Sequence, residues 1–306
     1  MTMIVGYASD ERGKAALHLA AMLARSAHDD LIVCTVVPAP WTPGMARVDA
    51  EYQNYLTQTA DQALERARNH LPGDVPATYV RYSARSAPAG LLEMAARNNA
   101  WLIVLGSSSA GAFGHISLGS VTDRLLHSSH VSIALATRGF RCPGDAKVHR
   151  VTAAFGGTES AEELVLAAAA ISADVGASLR IATFAVWSRP AYTTRLGTDS
   201  EDLVMDEWRA EVEKTVTATL TQVKHLPHGP RTVETVIGSG ANWAEAIDEV
   251  GWEPGDILVV GSSELGPVAR VFLGSRATKI LRHSPVPVLV VPRSRAEELA
   301  GRATEN

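Results

Sequence analysis

The sequence predicts an α/β protein made of two tandem domains, each a five-stranded, doubly wound, Rossmann-like parallel sheet. Three observations carry this. Short Val/Ile/Leu-rich runs alternate with helix-length segments along the chain, the pattern of strands buried on both faces and joined by right-handed crossover helices. The chain also repeats itself. Trp101-Leu-Ile-Val-Leu-Gly-Ser-Ser, followed by Leu118-Gly-Ser, returns as Asp256-Ile-Leu-Val-Val-Gly-Ser-Ser, followed by Leu273-Gly-Ser, with corresponding positions offset by 155. Finally, 306 residues, 46% hydrophobic and 20% charged, are enough for two ordinary globular domains.

In chain order the first half offers the strand runs MIVGYA, LIVCTVV, ATYVRY, WLIVLG and VSIALA. A short helix is expected between the Gly119-Ser120 pair and the last of these. The second half offers RVTAAF, LRIATF, RTVETVI, DILVVG and VPVLVV. Between its second and third runs, residues 203–224 set Val204, Trp208, Val212, Val216 and Leu220 four apart, one apolar stripe on a polar helix. Pro287, inside the last run, cannot donate to a ladder, so that strand is expected at an edge or an interface. The segment Gly139-Phe-Arg-Cys-Pro-Gly-Asp-Ala-Lys-Val breaks the pattern between the halves. The expected organisation is domain one at 1–138, a linker at 139–148, domain two at 149–293 and a C-terminal tail at 294–306.

Composition narrows the function. No apolar run approaches the ~20 residues of a membrane-spanning helix. The opening MTMIVGYASDERGK lacks a basic region followed by an apolar stretch, so neither a signal peptide nor a membrane anchor is expected. The formal net charge is −5 with no basic stripe, which argues against nucleic acid. Cys34 lies in an apolar run and reads as a small buried hydrophobe. Cys142 lies in the connecting segment. Two such cysteines make neither a disulfide framework nor a metal site, and a reducing cytoplasm is the expected compartment.

Ligands of doubly wound sheets sit beyond the carboxyl ends of the strands, where strand order reverses. The loop after the fourth strand reaches that point. Gly106 closes the strand, and Ser107, Ser108, Ser109, Gly111 and Gly114 lead to Gly119-Ser120 at a helix start. Free N–H groups there, with glycine allowing close approach, suit a phosphate. The competing reading makes Ser120 a helix cap, since Ser120-Val-Thr-Asp123 has capping-box form with Asp in place of Glu or Gln. Gly106 and Gly119 are 13 positions apart, as are Gly261 and Gly274.

On these residues both halves resemble universal stress protein domains, over nearly the whole chain. The resemblance implies an adenine nucleotide alpha hydrolase-like fold and an ATP site built on Gly-x2-Gly-x9-Gly-(Ser/Thr) plus an Asp after the first strand. In the first half it points to Ala8, Ser9, Val36, Gly106, Ser109, Gly119, Ser120 and Val121. Here Ser109 stands for the second motif glycine, Ala8 for the Asp (Asp10 is out of register) and Val36 at the base-side position. In the second half it points to Gly261, Gly274 and Ser275, with Glu264 for the second glycine, Gly156 for the Asp and Phe184 at the base side.

The losses are unequal. One missing hydrogen bond to a charged group costs ~1.5–3 kcal/mol, about ten- to a hundredfold in affinity. A carboxylate at Glu264 ~4 Å from a phosphate costs ~4 kcal/mol at an effective dielectric of ~20, unless Arg270 or Arg276 neutralises it. The first half is therefore expected to be the better adenine-nucleotide site. The resemblance also implies association through the fifth strands, here within one chain between the strand around Ile133 and Leu135 and that around Val288 and Val290, and a homodimer of the tandem chain.

Enzyme signatures are missing. There is no dinucleotide turn and no P-loop lysine. Gly106-Ser-Ser-Ser-Ala110 falls one residue short of a nucleophile elbow and does not turn directly into a helix. His115 in the same loop reads as solvated, the histidines lack metal-ligand spacing, and the tryptophans read as packing residues. The expectation is a stress-response binding or regulatory module with a degenerate ATP site. An interaction protein acting through its surfaces is the alternative, and a slow ATP hydrolase ranks last.

Overall fold

In the first half, β1 (Thr2–Gly6), α1 (Glu11–Ala27), β2 (Asp30–Pro38), α2 (Ala46–His70), β3 (Ala77–Ala84), α3 (Ala87–Arg97), β4 (Leu102–Gly106), α4 (Ser120–Leu126) and β5 (Ser132–Ala136) follow in strict alternation. The second half continues with β6 (Arg150–Ala154), α5 (Glu159–Asp174), β7 (Ser178–Val186), α6 (residues 214–224), β8 (Val233–Gly240), α7 (Trp243–Asp248) and β9 (Asp256–Gly261). It closes with the short ribbon strands β10 (Ser263–Glu264) and β11 (Val271–Phe272), then α8 (Ser275–His283), β12 (Val288–Val291) and α9 (Arg293–Thr304). The computed structural model describes residues 1–39, 46–156, 159–187, 214–264 and 271–304. Val204, Trp208 and Val212 of the expected stripe, Trp41 and Arg270 lie outside the described residues.

One 10-stranded sheet spans both halves, in the order β3-β2-β1-β4-β5-β12-β9-β6-β7-β8. Within each half every pairing of this sheet is parallel. Where the halves meet, β5 and β12 pair antiparallel, with Ile133 opposite Val290 and Leu135 opposite Val288. The strand that Pro287 precedes is thus an interface strand, and its first ladder bond uses the Pro287 carbonyl, which accepts from Leu258 N at 2.9 Å.

The period of two along the strands sorts side chains into two apolar layers that both run across the whole sheet. Met3, Val5, Leu102 and Val104 with Val151, Ala153, Ile257 and Val259 face α1 and α5. Ile4, Ile103, Ile133 and Leu135 with Leu258, Val260, Val288 and Val290 face α3, α4 and α8. Helix starts follow local chemistry. Asp10 caps α1, accepting from the N–H groups of Arg12 and Gly13 at 3.0 Å each, and Ser86 caps α3. His28, in the left-handed region at φ 56°, ends α1.

Two segments differ from the sequence reading. The expected tail holds α9, which lies on α5 and buries Ala296, Leu299, Ala300 and Ala303. The small-residue spacing gives a narrow apolar stripe that is hard to tell from a polar tail. The linker is fastened along α1: Arg141 pairs with Glu11 at 2.6 Å, Cys142 Sγ donates to His18 O at 3.4 Å, Arg25 donates to Ala146 O at 2.9 Å, and Val148 N donates to Ser26 Oγ at 2.8 Å.

Candidate functional site

A cavity of about 430 Å³ opens at the carboxyl ends of the first-half strands, on either side of β1 where strand order reverses. Its floor is Gly6, Tyr7, Ala8 and Ser9 at the end of β1, with Arg12 and Gly13 from the start of α1. Cys34 to Pro38 of β2 form one wall, and Ala87 and Leu91 of α3 another. Leu105, Gly106 and Ser108 join Gly119, Ser120, Val121 and Thr122 on the β4–α4 side, while α2 crosses with Leu56, Thr59, Ala60 and Ala63.

The cavity brings together Ala8, Ser9, Val36, Gly106, Gly119, Ser120 and Val121. Ser109 is exposed and outside its lining; Ser108 takes the place instead. The loop explains why. Ser108 N donates to Ser117 O at 2.8 Å, and Ser117 N donates to Ser107 Oγ at 2.8 Å, so the chain turns inward at 107–108 and Ser109 leaves towards solvent. Arg138 closes the far side of the loop, its guanidinium donating to Gly111 O and its backbone to His115 O at 2.9 Å. The His115 side chain is not in the lining, and its Nδ1 is buried without a partner.

The two motif glycines have different causes. A Cβ at Gly106 would stand 2.1 Å from the Arg12 carbonyl oxygen, so the approach of α1 alone requires glycine. At Gly119 the nearest atom would be Ser108 Cβ at 3.6 Å, an ordinary contact, and its φ of −93° suits any residue. The protein itself does not require glycine there. Gly119 is also the N-cap of α4 and makes no side-chain cap bond. Ser120 is therefore the first helical residue and not the cap, which removes the capping-box reading.

Charge in the described wall is sparse. Arg12 binds Asp10 through Nε at 2.7 Å and Nη2 at 2.5 Å. Burial would raise the Asp10 pKa, but the Arg12 side chain and the capped N–H groups outweigh it and hold the carboxyl below its ordinary range. Burial pushes the Cys34 thiol up to about 12, so it lines the cavity as a neutral group. Tyr7 is likewise raised by burial, against the nearby charge of Arg66. Sequence reading missed Arg12, Leu56, Thr59 and Leu91. The i, i+3, i+4, i+7 set Leu56, Thr59, Ala60 and Ala63 was the available signal for α2.

The second half differs at the equivalent place. Gly261 would accept a Cβ in ordinary contact with Leu164, 3.5 Å away. Gly274 caps α8 without a side-chain bond, leaving Ser275 as the first helical residue. Glu264 lies in β10, opposite Val271 of β11, so the loop folds back as a ribbon there. Phe184 packs against the apolar layer below, and the hydroxyls of Thr183 and Ser262 are buried without partners. Among the described residues no group of three His, Cys, Asp or Glu side chains is placed to hold a metal, and no helix is long and apolar enough to cross a membrane.

Comparison with known proteins agrees across sequence and fold. The Universal stress protein family model matches residues 1–136 and 147–292. Universal stress proteins of Mycobacterium tuberculosis and Mycobacterium bovis are each 36% identical over 296 residues, covering 95% of this chain and 100% of theirs. Among solved structures, a universal stress protein from Archaeoglobus fulgidus superposes with a TM-score of 0.57 at 18% identity, covering 95% of this chain and 98% of that one. A putative universal stress protein from Pseudomonas aeruginosa gives 0.56 at 11% identity, over 99% and 98% of the two chains.

Proposed function

The chain belongs to the universal stress protein family, and from that premise we propose that it is a stress-response regulatory module whose first half holds an adenine nucleotide. The observation that carries this reading is the cavity around Gly119. A 430 Å³ space of ligand size meets a glycine that no protein contact requires. Val36, Leu56 and Leu91 offer an apolar wall for a purine. Ser9, Ser108 and Ser120 offer hydroxyls, and bare Gly119 lets a phosphate approach the backbone N–H groups that follow it.

Affinity should be modest. Ala8 supplies no carboxylate to a ribose, a loss of about tenfold if one charge-assisted bond is missing. The second half, with Phe184 in its apolar layer and its loop folded into a ribbon, serves in this reading as a structural partner. The module acts by binding and not by catalysis, in the cytoplasm.

Calorimetric titration of the full chain with adenine nucleotides tests this. One site per chain is expected, lost in Gly119→Val and kept in Gly274→Val. Gly119→Val should hold its melting temperature within a few degrees, because a Cβ there meets nothing nearer than Ser108 Cβ at 3.6 Å. No heat up to millimolar nucleotide would overturn the reading.

A further inference from the structure

Past the residues that α2 gives to the cavity wall, its next turn carries Arg66. This exposed guanidinium reaches back to the rim, and Nη1 donates to Ser9 Oγ at 2.8 Å. Ser9 itself lines the cavity. Among the described residues Arg66 has no carboxylate within ion-pair distance, unlike its neighbours. Arg68 pairs with Glu65 at 3.2 Å and lies over the Tyr79 ring, and Arg81 pairs with Asp61 at 2.5 Å. Inside the cavity the described wall holds one charged side chain, Arg12, and Asp10 already neutralises it. The rim therefore carries one uncompensated positive charge above an uncharged interior.

We propose that Arg66 reads the charge of the ligand, and that the site takes an adenine nucleotide with a single phosphate in preference to a triphosphate. The proposal rests on the nucleotide reading above and adds the residue and the phosphate count. One guanidinium can pair with one phosphate through two parallel N–H bonds. A second and third phosphate would find no further net cation in the described wall, only neutral hydroxyl and N–H donors, so each adds a full negative charge that nothing there offsets. Arg66 lies outside the Gly…Gly-Ser loop and arrives from a helix that packs over the cavity, which gives the site a contact independent of that loop.

The test is calorimetry on the full chain at low salt without added magnesium, using adenosine, AMP and ATP against the wild type, Arg66→Gln and Arg68→Gln. The wild type should bind AMP about tenfold more tightly than adenosine and ATP no more tightly than AMP. Arg66→Gln should erase the gap between AMP and adenosine while leaving adenosine affinity unchanged, and Arg68→Gln should change neither. An AMP-to-adenosine ratio that survives in Arg66→Gln, an equal loss in Arg68→Gln, or ATP bound more tightly than AMP would overturn the proposal and leave the nucleotide reading standing. Wild-type protein that binds none of the three would overturn both.

Discussion

At the scale of single residues, Gly106 and Gly119 read alike in the sequence and answer to different forces. Gly106 yields to the α1 backbone, because the Arg12 carbonyl oxygen and carbon would lie 2.1 and 2.7 Å from a Cβ, and a backbone cannot swing aside as a side chain can. Gly106→Ala should therefore cost about 1–3 kcal/mol in urea unfolding, the usual range for overpacking, and Gly119→Ala clearly less. Equal losses at the two positions would contradict this. Most of the first-half cavity lining was legible because strand ends and a fixed loop length place Ala8, Val36, Gly106, Gly119 and Ser120. Ser109 falls outside that lining because the turn at Ser107 and Ser108 depends on bonds to Ser117, a distant residue that the loop's spacing does not reveal. Asp10 stood near the expected acidic position, yet its carboxylate caps α1.

At the scale of elements, the connection between the halves is a fastened strip along α1. Ser26 shows how: its hydroxyl donates to Met22 O at 2.7 Å and accepts from Val148 N at 2.8 Å. Glycine, proline and charge gave the sequence of this strip no periodicity, so only its position was legible. Its docking consists of specific bonds to α1 that no pattern announces. His18 sits beneath Cys142, and burial lowers its pKa, with the charge of Arg141 acting the same way against a hydrogen bond to Cys142. The unfolded chain then takes the proton first. The stability this histidine contributes is full above its unfolded pKa of about 6.5 and declines as pH falls towards the folded value. Melting at pH 7.5 and 5.5 should show a smaller acid loss in His18→Gln than in the wild type; parallel losses would remove His18 from the account. The α2 contribution was hidden for a related reason. Leu56 lines the cavity and Arg66 reaches its rim only because the helix packs over β2, a tertiary fact.

At the scale of the molecule, the two halves form one sheet through β5 and β12. The pairing was legible from the family resemblance, which implies association through the fifth strands, and Pro287 pointed the same way, since a strand preceded by proline suits an edge or an interface. Ile133 and Val288 are 2% and 1% exposed, and burying each contributes about 1.5–3 kcal/mol. An Ile133→Lys, Val288→Lys double variant should melt markedly lower and scatter as a larger particle, because two charges would face the apolar layer. An unchanged profile would mean the halves do not need this seam. The antiparallel seam also sets how the protein behaves when scarce. Two separate subunits drift apart on dilution, whereas strands carried by one polypeptide meet at an effective concentration on the order of millimolar even in a nearly empty cell. The pairing of the two halves therefore has no copy-number threshold.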